Sequence, residues 1–152
     1  MRLTSSAFAD GGLIPARYTC DGDNINPPLE IAGVPAATVS LVLIMDDPDV
    51  PKSARPDGMW DHWLIFNMPP TLTRIEENQE PPGDQGTGTA GNRQYHGPCP
   101  PDREHRYFFK LYALDCRLAL PAGAAKPEIE AAMAGHILAM AELMGRYDRP
   151  RR

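Results

Sequence analysis

Two histidines stand at the starts of apolar runs, and each follows a proline-rich turn. His62 opens His62-Trp63-Leu64-Ile65-Phe66 and comes after the acidic segment Asp46-Asp47-Pro48-Asp49-Val50-Pro51. His105 precedes Arg106-Tyr107-Phe108-Phe109 and follows Gly97-Pro98-Cys99-Pro100-Pro101. Loops meeting at one end of a sandwich would gather Asp47, His62, His105 and Tyr107 beside the Pro100-Pro101 backbone. Such a set suits a small anion. Imidazole and phenol groups donate hydrogen bonds to phosphate oxygens, and backbone N–H groups add more. A carboxylate beside an imidazole fixes its tautomer or raises its pKa. Prolines fix loop shape at low entropic cost and so preorganise the walls. If the two histidines meet the anion as cations, affinity falls as pH rises past about 6.5.

Each piece alone has a plainer reading. Asp and Pro build turns, a single strand-end His is ordinary, and Tyr107 alone is sheet packing. It is their joint occurrence that carries weight. Other chemistries are thinner. Asp47, His62 and His105 match the residue types of a two-His-one-carboxylate iron site, yet they lie on three separate segments. Cys99 with His105 as base is a thiol-enzyme pair, but a thiol between Pro98 and Pro100 has no helix N-terminus to lower its pKa. No G-x-S-x-G, P-loop, G-x-G-x-x-G or H-E-x-x-H motif is present. The expectation is therefore a binding protein without catalysis, resident metal or cofactor. His96 reads as loop, and His136 as a structural residue among apolar helix positions.

The elements that must hold these residues follow from composition. The chain has 152 residues, with 17 Pro and 13 Gly. Together these make about a fifth of it, where average usage gives about 12%. Pro breaks helix interiors and central strands, which argues against a helical bundle. Hydrophobic residues make up 42% of the chain, enough for one domain over residues 1–152 to bury a core. A net charge of −5 argues against general nucleic-acid binding. The one basic run, Arg146, Arg149, Arg151 and Arg152, reads as a solvated tail from about residue 146. No stretch approaches the ~20 apolar residues of a membrane span, and no secretory h-region is present, so cytoplasm is the default compartment. Three cysteines are too few for a disulfide scaffold. A Cys20–Cys99 bridge remains open, because spacing does not fix it.

Three runs read as strands: Val39–Met45, His62–Phe66 and Arg106–Leu114. A short strand fits Leu3–Phe8. With no helical pattern between them, the strands predict an antiparallel β-sandwich rather than βαβ units. Pro81–Gly91 reads as a long loop that is either functional or mobile, and it could present an extended segment to a protease. Pro127–Met144 carries a helical stripe of Ile129, Met133, Ile137, Met140 and Leu143. It predicts two short C-terminal helices divided at Gly135, with Gly145 as a C-cap.

At these residues the chain resembles the phosphatidylethanolamine-binding protein (PEBP) family, most closely its prokaryotic YbhB/YbcL, or Raf-kinase-inhibitor-like, branch. The blocks that carry the resemblance are Asp46-Asp47-Pro48-Asp49-Val50-Pro51, Asp61-His62-Trp63-Leu64-Ile65-Phe66-Asn67-Met68-Pro69, and Gly97-Pro98-Cys99-Pro100-Pro101 with His105-Arg106-Tyr107. With Cys20-Asp21-Gly22, Asn26-Pro27-Pro28-Leu29, Gly135-His136-Ile137-Leu138-Ala139 and Gly145-Arg146-Tyr147, the resemblance runs from about residue 3 to 147. The resemblance implies Greek-key links and a pocket formed by Asp47, His62, Cys99, Pro100, Pro101, His105 and Tyr107. It implies phosphate-type ligands, such as phospholipid headgroups and phosphorylated peptides or small molecules, together with homodimers. Some members of the family regulate kinases or inhibit serine proteases. One departure lies beside the pocket: Tyr95-His96-Gly97-Pro98 stands where the family often has Tyr-Gly-Gly-Pro.

Overall fold

The three apolar runs become the long strands of one antiparallel sheet, because β-branched and aromatic residues fill both faces of a pleated surface. A computed structural model describes residues 1–150 of the chain. Strands β3 (Ser40–Asp47), β4 (Trp60–Met68) and β7 (His105–Leu114) lie together with β3 between the others. β6 (Asp84–Gln85) flanks β4, and β8 (Ile137–Tyr147) flanks β7, so the order is β6-β4-β3-β7-β8. A second antiparallel sheet holds β1 (Arg2–Thr4), β2 (Leu29–Ala32) and β5 (Arg74–Ile75) in the order β1-β2-β5.

Every residue of β3 is buried, so both faces of the large sheet are covered there. Leu41, Leu43 and Met45 share a core with Leu3, Leu29, Ile31 and Ile75 of the small sheet and with Tyr107, Phe109 and Leu111 of β7. Val42 and Ile44 point the other way, against Leu64, Phe66, Ile129 and Met133. The last two belong to the helix α1 (Lys126–Met133), with Pro127 in its first turn and the Glu128 carboxylate accepting the Ala125 N–H.

Four expectations need correction. The second C-terminal helix is a strand: Gly135 (φ +81°) ends α1, and Ile137–Tyr147 pairs with β7 over its whole length. The residues facing the core are Ala139, Ala141, Leu143 and Tyr147, a period of two that overrides the high helix propensity of Ala, Leu and Met. Gly145 is no C-cap. It lies mid-strand, where a Cβ would sit 2.5 Å from Ile14 and 2.8 Å from Phe8. The basic run is not a free tail through Arg149. Arg146 donates to the Gly11 carbonyl (2.7 Å) and pairs with Glu104, and Arg149 pairs with Asp21; Arg151 and Arg152 lie outside the described residues. The first strand stops at Thr4, where Ser5 turns the chain by donating to the Pro28 carbonyl and accepting the Ala7 N–H.

The Pro81–Gly91 segment is laid along the sheet rather than projecting from it. β6 pairs with Ile65 and Phe66, and the N–H groups of Gly86, Thr87 and Thr89 reach the carbonyls of Leu64, Ala124 and Asp61. No helix among the described residues is long and apolar enough to cross a membrane.

Candidate functional site

Three neighbouring strands deliver the site to one end of the large sheet. Asp47 ends β3, and its Cα partner on β4 is Trp60. Pairing runs Met45↔Trp63 and then Asp46↔Asp61, which leaves His62 as the extra residue of a β-bulge. A bulge re-aims a side chain that regular pleating would place elsewhere. His105 and Tyr107 are two apart on β7 and so share a face.

Two loops close the site. Asp49 accepts three hydrogen bonds from Arg106, at 2.8–2.9 Å, one of them from the backbone N–H. They strap the 47–51 turn to β7, and the guanidinium holds the Asp49 carboxyl below its usual range. On the other side Cys99 forms a disulfide with Cys20, while the Cys20 N–H donates to the Pro98 carbonyl. A disulfide sulfur offers no thiolate, so Cys99 is not the nucleophile that a thiol enzyme would need.

Asp47, His62, Cys99, Pro100, Pro101, His105 and Tyr107 all line one cavity of about 200 Å³, with Val50, Ala54, Trp60 and His96. This lies below the ~300–1,000 Å³ of drug-sized ligand sites and suits a small group. His96 is therefore part of the wall, its ring stacked on that of His62 at 5.8 Å. Asp102 is a second residue that the sequence reading missed. Its carboxylate meets His105 Nε2 at 2.7 Å. Its place three residues before His105 was the available signal.

The hydrogen bonds assign roles. Asp47 accepts from the Asp49 N–H (2.7 Å) and from His105 Nδ1 (2.6 Å). Burial raises its pKa, against the lowering effect of those two bonds. With Asp47 on one nitrogen and Asp102 on the other, His105 has both ring positions occupied. The His105 contact in turn holds the exposed Asp102 carboxyl down. His62 Nδ1 lies 2.6 Å from the His96 carbonyl, and a carbonyl only accepts, so Nδ1 carries the hydrogen. Burial pushes the His62 pKa down to about 3. His62 is thus a neutral imidazole whose Nε2 is a lone-pair acceptor, so the pH dependence conditional on a cationic His62 does not apply to it. Burial also lowers the pKa of His96. Tyr107 is fully buried, and burial raises its pKa, so it stays an O–H donor. Its hydroxyl has no hydrogen-bond partner among the described residues.

The donor atoms of Asp47, His62 and His105 do not converge within 4.8 Å of one another. Among the described residues, the group whose donor atoms converge closely enough to share an ion lies elsewhere.

The comparisons with known proteins agree with this fold. The family model Phosphatidylethanolamine-binding protein matches residues 4–148. A UPF0098 protein of Methanothermobacter thermautotrophicus is 51% identical over 155 residues, covering 98% of this chain and 99% of its own. A UPF0098 protein of Chlamydia pneumoniae is 48% identical over 149 residues, with the same two coverages. The crystal structure of CT736 from Chlamydia trachomatis superposes with a TM-score of 0.96 at 48% identity, covering 98% of this chain and 97% of that one. The crystal structure of E. coli YbcL, described as a new member of the mammalian PEBP family, gives a TM-score of 0.87 at 27% identity over 98% of each chain.

Proposed function

The chain belongs to the phosphatidylethanolamine-binding protein family, and on that premise we propose that it binds a phosphate-type group in this cavity without transforming it. The observation that carries the reading is the Tyr107 hydroxyl, buried in the cavity wall with no hydrogen-bond partner among the described residues. Buried polar groups are nearly always satisfied, and an orphan calls for a ligand or water to complete it. A phosphate oxygen is a strong acceptor for that O–H.

The second contact narrows the ligand. His62 Nε2 accepts, so its partner must bring a hydrogen. A phosphomonoester near pH 6 carries one, since its second pKa is about 6. Its P–OH donates to His62 while a P–O⁻ accepts from Tyr107. The phosphodiester of an intact phospholipid has no such proton. The ligand class is thus a small phosphomonoester, of which phosphoethanolamine is the simplest headgroup example. Asp47 is a positioning residue: both of its oxygens are spent on the Asp49 N–H and His105.

An NMR titration that follows the histidine ring signals tests this. Phosphoethanolamine should shift the His62 and His96 resonances saturably, and glycerophosphoethanolamine, the diester, should do so more weakly. Unchanged ring signals with both compounds would refute the proposal.

A further inference from the structure

At the far end of β7, roughly 30 Å from His105 at the rise of an extended strand, three donor side chains meet. Asp115 and Cys116 follow β7 directly, and His136 fills the turn between α1 and β8. One donor atom from each lies within 4.8 Å of the other two. Asp115 Oδ1 is 2.8 Å from His136 Nδ1. The backbone fixes the two turns against each other. The Asp115 N–H donates to the His136 carbonyl (3.0 Å), the His136 N–H to the Met133 carbonyl (2.9 Å), and Ser40 Oγ to the Cys116 carbonyl (2.6 Å). Cys116 is the cysteine outside the disulfide. Nothing in the proposed phosphate site uses these residues.

We propose that Asp115, Cys116 and His136 form a surface site for a zinc-type divalent ion, with solvent in the fourth position. Thiolate, imidazole and carboxylate are the donors zinc takes, at about 2.0–2.3 Å, and three protein donors plus water is its open tetrahedral arrangement. Donor atoms around such an ion stand between about 3 and 4 Å apart by the same bond lengths. The hydrogen-bonded Asp115–His136 pair therefore opens by about an ångström as the ion replaces the shared proton. Both side chains are about half exposed and free to make that move. Charge balances: carboxylate and thiolate together neutralise a divalent cation. Binding releases one proton, from the Cys116 thiol, while the His136 hydrogen moves from Nδ1 to Nε2 through solvent. The ion would clip the end of β7 to the start of β8.

Cobalt(II) titration of the intact, disulfide-bonded chain tests the site, because a thiolate ligand gives cobalt a near-ultraviolet charge-transfer band that no histidine of the phosphate pocket can produce. The band should saturate at one equivalent, bleach when zinc is added, and vanish in Cys116→Ser. Asp115→Asn and His136→Gln, both at half-exposed positions and so safe for folding, should each weaken cobalt binding at least about tenfold, the lower end of what loss of an outer-shell partner costs. Absence of the band, its persistence in Cys116→Ser, or an affinity indifferent to both Asp115→Asn and His136→Gln would overturn the assignment.

Discussion

Acidifying the protein from pH 7 to pH 5 should expose the cost of keeping His62 neutral. In the unfolded chain an imidazole titrates near 6.5. In the fold its pKa is pushed down to about 3 by burial. Between those values the unfolded state holds a proton that the folded state refuses, so stability rises with pH and is lost as pH falls from 6.5 towards 3. At pH 5 the gap already spans about 1.5 pKa units, worth roughly 2 kcal/mol. His96, whose pKa is also lowered, adds a smaller loss of the same sign. Asp47, raised by burial, opposes both closer to pH 4. Comparison with His62→Gln isolates the one residue, since the amide does not titrate. Urea unfolding at pH 7 and pH 5 should show the wild type losing roughly 2 kcal/mol more than His62→Gln. Equal losses in the two proteins would mean that His62 is not held neutral, and the acceptor role given to its Nε2 would fall with it.

Tyr107→Phe removes a buried, unpartnered hydroxyl, so the ligand-free variant should match or exceed wild-type stability by up to about 1 kcal/mol in urea unfolding. Asp47→Ala strands His105 Nδ1 and the Asp49 N–H, and should cost about 2 kcal/mol or more by the same measurement. Gly145→Val drives a side chain into Ile14 and Phe8, at an expected cost of about 1–3 kcal/mol, read as a lower Tm. Reducing the Cys20–Cys99 bridge frees a segment of 79 residues; chain entropy sets the loss at up to about 4.5 kcal/mol, measured as the shift in urea midpoint with and without reductant.

The long strands were legible because β3, β4 and β7 are short β-branched or aromatic runs stopped by Pro48, Pro69 and Asp115. β8 was not. Ile137, Met140 and Leu143 trace a helical stripe, and the competing alternation of Ala139, Ala141, Leu143 and Tyr147 is built partly from small residues that carry little signal. What decides the matter is ten paired residues of β7, a tertiary fact. The cavity residues were legible as types, since two histidines, an acid and a tyrosine beside proline-rich turns are an uncommon conjunction. Their protonation was not. That His62 is neutral depends on the bulge that buries it against the His96 carbonyl, and that His105 is taken on both nitrogens depends on Asp102 folding back. Burial and partner geometry set both, and neither is written in spacing. The Asp115, Cys116 and His136 cluster was hidden for the same reason as β8, because it exists only once His136 leaves the supposed helix and enters a turn.

The Tyr107 hydroxyl is the group through which phosphate binding is tested most directly. Isothermal titration of phosphoethanolamine at pH 6 into the wild type and into Tyr107→Phe asks this directly. One molecule should bind per chain, at least about tenfold more weakly in the variant, as loss of a hydrogen bond to a charged group requires. No heat with the wild type, or equal affinity in both proteins, would contradict it.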